Sequence, residues 1–75
     1  MLNEQQIRDI IAETNTKLDW AVQDRNARFD ALGLDSLDRF DILVGLQEAT
    51  GIEVPDDDVE KLHSVAAIET YFADK

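Results

Sequence analysis

Ser36 is the side chain best placed for covalent chemistry, and its setting is Gly33-Leu34-Asp35-Ser36-Leu37. Gly33 is a turn residue and Asp35 a predicted helix N-cap, because its carboxylate can accept from amides that lack an intrahelical partner. Asp38, three positions on, stands where the acid of a capping box would stand. Ser36 then takes the first helical position, with its hydroxyl exposed at a helix end that favours anionic groups. A phosphodiester would suit it. Asp-Ser-Leu at a helix start is also ordinary capping chemistry, and the tripeptide alone favours that plainer role.

Catalysis by the same serine needs a base held against it. The one histidine, His63, lies 27 positions away beside another predicted helix. No glycine-rich phosphate loop, zinc ligand set or cysteine is present. His63 without a second histidine is a surface or junction residue rather than a metal ligand. Asp56, Asp57 and Asp58 lack the alternating ligands, central glycine and terminal glutamate of a calcium loop, so they read as a solvated acidic face. The sequence thus assigns no catalytic residue and no metal site, and it describes a protein that is not an enzyme.

The 75 residues fit one small domain, a size that buries only about 60% of its unfolded surface. The net charge of −10 is uneven: residues 1–32 hold six acids and four bases, residues 33–75 eleven acids and three bases. Such a field repels nucleic acid and anionic membranes, and it steers basic protein surfaces toward the half that follows the serine. No apolar run reaches the length of a membrane span, and Met1-Leu2-Asn3-Glu4 lacks a basic-then-apolar signal pattern. The absence of cysteine agrees with a reducing cytoplasm. The expectation is a soluble, monomeric, cytoplasmic protein.

The elements that must position Ser36 are all helical. Asn3 and Gln6 form a capping pair for a first helix over 4–16, with Ile7, Ile10, Ile11 and Thr14 inward and Arg8, Asp9 and Glu13 outward. Residues 17–34 lose periodicity and predict a long ordered loop, pinned by Leu18, Trp20, Val22, Phe29 and Leu32. Arg25 and Arg28 would partly offset the acidic helix behind it. A second helix over 36–50 ends at Gly51 as a left-handed residue, with Leu37, Phe40, Leu43, Val44, Leu46 and Gln47 inward. Gly45 costs such a helix about 1 kcal/mol against alanine, and it either permits close packing or keeps space for a guest. Pro55 opens a short third helix at 57–62 with Val59 and Leu62 inward, and Ser64 caps a last helix over 65–73. The fold class is all-α: a four-helix bundle of three longer helices and one short helix III, with a long loop between the first two.

Two stretches resemble a known family. Phe29-Asp30-Ala31-Leu32-Gly33-Leu34-Asp35-Ser36-Leu37-Asp38 resembles the modification site of acyl carrier proteins. Gly51-Ile52-Glu53-Val54-Pro55-Asp56-Asp57-Asp58-Val59-Glu60-Lys61 resembles the segment leading into that family's short third helix. The likeness runs from Phe29 to Phe72 and implies a single acyl-carrier-like domain over 1–75. It implies 4′-phosphopantetheine joined to Ser36 through a phosphodiester, with Asp35 and Leu37 flanking it. A separate phosphopantetheinyl transferase would deliver the group from coenzyme A. Its thiol would carry acyl intermediates as thioesters between enzymes of fatty-acid, polyketide or related lipid biosynthesis.

By the same resemblance the second helix meets basic patches on the transferase and on acyl-loading and acyl-processing enzymes. Asp35, Asp38, Asp41 and Glu48 match the family's acidic positions, Arg39 shares their face, and Leu37 is an apolar anchor. Phe40, Leu46, Val59, Leu62 and Ile68 are candidates for an acyl pocket, each equally well explained as core. Arg39 stands where such carriers generally have a small neutral residue, Phe40 where they have an aliphatic one, and Gln47 and Ala49 where acids are frequent. These departures point to a specialised carrier for a dedicated pathway. Peptidyl carriers fit less well, because the paired glycines before their serine are missing. The competing expectation is an unmodified acidic helical module that docks a basic protein partner.

Overall fold

Asn3 starts the chain's first helix by reciprocal capping: its side chain accepts from the Gln6 amide, and the Gln6 side chain accepts from the Asn3 amide. The computed structural model describes residues 2–74; Met1 and Lys75, the ends of the expected domain, lie outside them. Helix α1 spans Glu4–Thr14, two residues shorter than its periodicity predicts. Asn15 ends it, because its side chain turns inward to serve other elements. Helix α2 spans Ser36–Thr50 and closes on Gly51 at φ 70°, the left-handed conformation expected there. A 3-10 helix covers Asp56–Lys61, and α3 spans Val65–Ala73, with the Ser64 hydroxyl accepting from the Ala67 amide. Among the described residues there is no strand, and the bundle is the four-helix arrangement the sequence predicts.

One core joins the helices. Ile7 and Ile11 of α1, Ile42 and Leu46 of α2, and Val65, Ile68 and Phe72 of α3 are all buried. Burying each such side chain contributes about 1.5–3 kcal/mol. Gly45 faces α1, where a methyl group at its Cα would stand 2.6 Å from Thr14 Cγ2. Of the two roles left open for this glycine, close helix packing is the one observed.

The long loop is held by buried polar contacts as well as by rings. Trp20 and Phe29 are buried and meet edge to face, 5.7 Å between centroids, while Val22 is 73% exposed and pins nothing. Arg8, expected on the outer side of α1, is buried instead. Its Nη1 donates to the Trp20 and Gln23 carbonyls at 2.6 and 2.7 Å, and it pairs with Glu4. Loop carbonyls would otherwise be buried unpaired, which costs about 1–3 kcal/mol each, and a guanidinium can satisfy several. The loop also meets α3 through its backbone: the Phe29 amide donates to the His63 carbonyl, and the Arg25 carbonyl accepts from the Ala66 amide. Arg25 pairs with Glu4 and Glu69, and Arg28 with Asp30, so neither offsets the charge of α2 as expected.

Candidate functional site

Three local devices place Ser36. Gly33 at φ 90° makes the left-handed turn after Asp30, and its amide donates to the Asp30 carbonyl. Buried Leu34 then fixes the chain against the core just before the helix. Asp35 caps α2: its carboxylate accepts from the Asp38 amide at 2.9 Å, while the Asp38 carboxylate accepts from the Asp35 amide at 3.1 Å. Ser36 is the first residue of α2 and is exposed, with no hydrogen bond from its hydroxyl among the described residues.

Asp38 stands apart from the other acids of α2. The sequence groups it with Asp41 and Glu48 as a partner contact, yet it is only 8% exposed. Its Oδ1 accepts from Asn15 Nδ2 at 3.2 Å, and its Oδ2 accepts from Lys17 Nζ at 2.7 Å. The Lys17 hydrogen bond and the Asp35 amide hold its carboxyl below the ordinary 3.8, against a smaller opposing effect of burial. Asp38 is therefore an internal anchor of the helix start, and its expected place on the docking face is corrected. Asp35, Arg39, Asp41 and Glu48 are exposed as expected. Among the described residues, Arg39 is the only lysine or arginine without an ion pair.

The inward face of α2 is also corrected. Leu37 and Phe40, expected to point inward, are 74% and 59% exposed, while Ile42, which the expected stripe omits, is buried. Apolar residues lie on every side of this helix, so its periodicity does not single out the core face. The result is an apolar pair beside Ser36, rimmed by charge. Gln47 is half-buried and fastens the following segment by accepting from the Val54 amide at 2.7 Å.

Alongside Ser36 lies a cavity of about 300 Å³ between α2, the 3-10 helix and the loop. Phe40, Leu46, Val59 and Leu62, four of the five pocket candidates, line it. Ile68 does not; it is wholly buried in the core. The cavity also takes in Phe29, Arg39, Ile42, Leu43, Asp56, Glu60 and His63, which the sequence did not place in a pocket. Phe29 was legible only as an anchor, and it is both. His63 shares this cavity with Ser36 despite the 27 intervening positions, although no hydrogen bond joins them. No local spacing could have revealed that pairing, since it arises from the packing of the loop against the start of α3.

The arrangement suits a covalent tether better than a reaction centre. An exposed hydroxyl leads a helix, and an apolar-walled cavity opens next to it. Asp56, Asp57 and Asp58 do not gather into a metal site: among the described residues no three metal-ligating side chains stand together. Asp58 instead pairs with Lys61 and accepts from the Tyr71 hydroxyl, tying the 3-10 helix to α3.

Comparison with known proteins agrees with this geometry. A family model described as a phosphopantetheine attachment site matches residues 5–72. An acyl carrier protein of Campylobacter hominis is 36% identical over 67 residues, covering 89% of this chain and 85% of that protein. A mitochondrial acyl carrier protein of Dictyostelium discoideum is 51% identical over 43 residues, covering 57% of this chain and 36% of that longer protein. With the family model covering most of its length, the chain belongs to the acyl carrier proteins, which are carriers and not enzymes.

Proposed function

We propose that this protein carries acyl intermediates on a 4′-phosphopantetheine arm attached to Ser36, serving fatty-acid, polyketide or related lipid biosynthesis. The observation that carries the reading is the exposed Ser36 hydroxyl at the first position of α2, next to the cavity. A phosphodiester there meets the positive end of the helix dipole. On attachment the Ser36 oxygen would bond to the pantetheine-side phosphorus as the pyrophosphate bond of coenzyme A breaks, adenosine 3′,5′-bisphosphate leaves and the hydroxyl proton passes to a base of the transferase. The arm supplies the thiol that a chain without cysteine lacks. The protein's own residues supply address and shelter.

The address is the exposed face of α2. Asp35, Asp41 and Glu48 suit basic patches on the transferase and acyl-handling enzymes, and Leu37 and Phe40 offer apolar contacts beside Ser36. Charge steering favours fast, salt-sensitive encounters, which a shuttling carrier needs. Unpaired Arg39 calls for an acidic residue on a dedicated partner. Shelter for the acyl chain falls to the cavity walls, chiefly Phe29, Phe40, Leu46, Val59 and Leu62. The proposal includes a monomer working in the cytoplasm. No helix among the described residues is long and apolar enough to cross a membrane, and the Dictyostelium relative is mitochondrial by name. Cell fractionation tests the compartment.

Intact-mass analysis after incubation with coenzyme A and a broad-specificity phosphopantetheinyl transferase tests the central claim. Wild type gains the mass of one phosphopantetheinyl group, and Ser36→Ala gains nothing. An unchanged wild-type mass overturns the reading in favour of the unmodified docking module.

A further inference from the structure

Among the described residues, Arg39 is the only lysine or arginine that lines the cavity beside Ser36. It is exposed and makes no ion pair there, although Asp35 lies one turn before it and Asp56 and Glu60 line the same cavity. Asp35 is committed as the cap of α2, where its carboxylate accepts from the Asp38 amide. Ser36 and Arg39 stand three positions apart on α2, a spacing that makes their Cβ atoms neighbours at about 5–6 Å. A helical side chain leans toward the N-terminus and covers the turn before its own Cα, which carries the Arg39 side chain back toward residue 36. A bare hydroxyl has no use for that cation. A phosphodiester in its place is an anion, and arginine binds phosphate oxygens through paired N–H donors.

We propose that Arg39 holds the phosphodiester on Ser36 by a charge-assisted hydrogen bond and so restrains the root of the prosthetic arm. The inference rests on the carrier reading and adds a positioning residue to it. Covalent attachment fixes the phosphate one turn from Arg39, whereas the thiol and its cargo lie at the far end of the arm. The phosphate is therefore the anion that Arg39 meets. Without this guanidinium the diester would share its surroundings with the exposed carboxylates of Asp35, Asp56 and Glu60 and with no lysine or arginine of the cavity wall. Five donors let the side chain bind a phosphate oxygen and still meet a carboxylate of a partner. The pair forms after transfer, so the approach of the transferase stays with the docking face.

The test compares apo and holo protein once intact mass has established loading from coenzyme A. Two readouts follow by nuclear magnetic resonance. One is exchange of the Arg39 Nε–H with water, its signal assigned by its absence from Arg39→Gln; the other is the ³¹P resonance of the holo chain. Loading should slow the Nε–H exchange about two- to fivefold at low salt, and added salt should reduce the effect. Arg39→Gln should move the ³¹P resonance, and Arg39→Lys, which keeps the charge without the planar fork, should move it less. Arg28→Gln, which removes an exposed arginine of the loop, should leave it in place. Unchanged Nε–H exchange on loading overturns the proposal, while the mass gain leaves the carrier reading intact. A ³¹P resonance indifferent to Arg39→Gln, or moved as far by Arg28→Gln, overturns it too. Failure of wild type to load overturns the carrier reading, and this one with it.

Discussion

Lys17 Nζ lies 2.7 Å from Asp38 Oδ2, which ties the loop after α1 to the first turn of α2 two residues beyond Ser36. The pair is one edge of a larger knot. Asn15 Nδ2 donates to the other Asp38 oxygen, and the Asn15 carbonyl accepts from Trp20 Nε1 at 3.0 Å. One carboxylate therefore helps set both the path of the loop and the start of the helix that presents the serine.

That knot should respond to acid. Asp38 titrates below its ordinary value in the fold, so its contribution to stability is present above about pH 4 and is lost as pH falls through its folded value. The Lys17 ammonium is held above its ordinary 10.5, chiefly by the Asp38 hydrogen bond, so its contribution holds at neutral pH and is lost only in strong alkali. Asp38→Asn should melt below wild type at about pH 7. The gap between their melting temperatures should narrow as pH is lowered toward about 2. Thermal melts by circular dichroism across that range check the trend; a gap independent of pH contradicts it.

The docking face should answer differently from the knot. Asp41→Lys and Glu48→Lys are exposed changes, expected to alter stability by no more than about 0.5 kcal/mol while slowing phosphopantetheinyl transfer at low salt. Added salt should shrink that effect, because exposed charges are screened over about 10 Å at 0.1 M. Arg39→Glu should speed transfer by a basic transferase. Initial rates at two ionic strengths, with melts run in parallel, decide the matter. Asp38→Lys belongs to the other group and should lower the melting temperature.

Gly45→Ala offers a test whose sign reverses with its neighbour. Alanine is the better helix former by about 1 kcal/mol, but its methyl would press on Thr14 Cγ2. Thr14 resists turning aside, since its hydroxyl donates to the Ile11 carbonyl at 3.0 Å. Overpacking of this kind costs about 1–3 kcal/mol, so the single variant should be less stable. In a Thr14→Ala background the same change should stabilise. Urea unfolding of the four proteins in the cycle measures both signs.

The helices were legible because their ends are written locally. Asn3 with Gln6, Asp35 with Asp38, Gly51 and Ser64 each act over three or four residues, and each behaves as its spacing predicts. Ser36 was legible for the same reason. The face of α2 was not, because Leu37 and Phe40 are as apolar as Ile42 and only tertiary packing decides which turns inward. Arg8 and Asp38 look like surface charges in the sequence, since nothing nearby in the chain shows that Gln23 or Lys17 will meet them. The cavity draws its walls from residues 29 to 63, and the meeting of His63 with Ser36 across it depends on the packing of the loop.

Trp20, the chain's single tryptophan, is buried with its ring edge on to Phe29, and Phe29 is also part of the cavity wall. The indole therefore sits one ring away from the cavity beside Ser36. Unlabelled protein thus carries its own optical gauge one ring from that cavity.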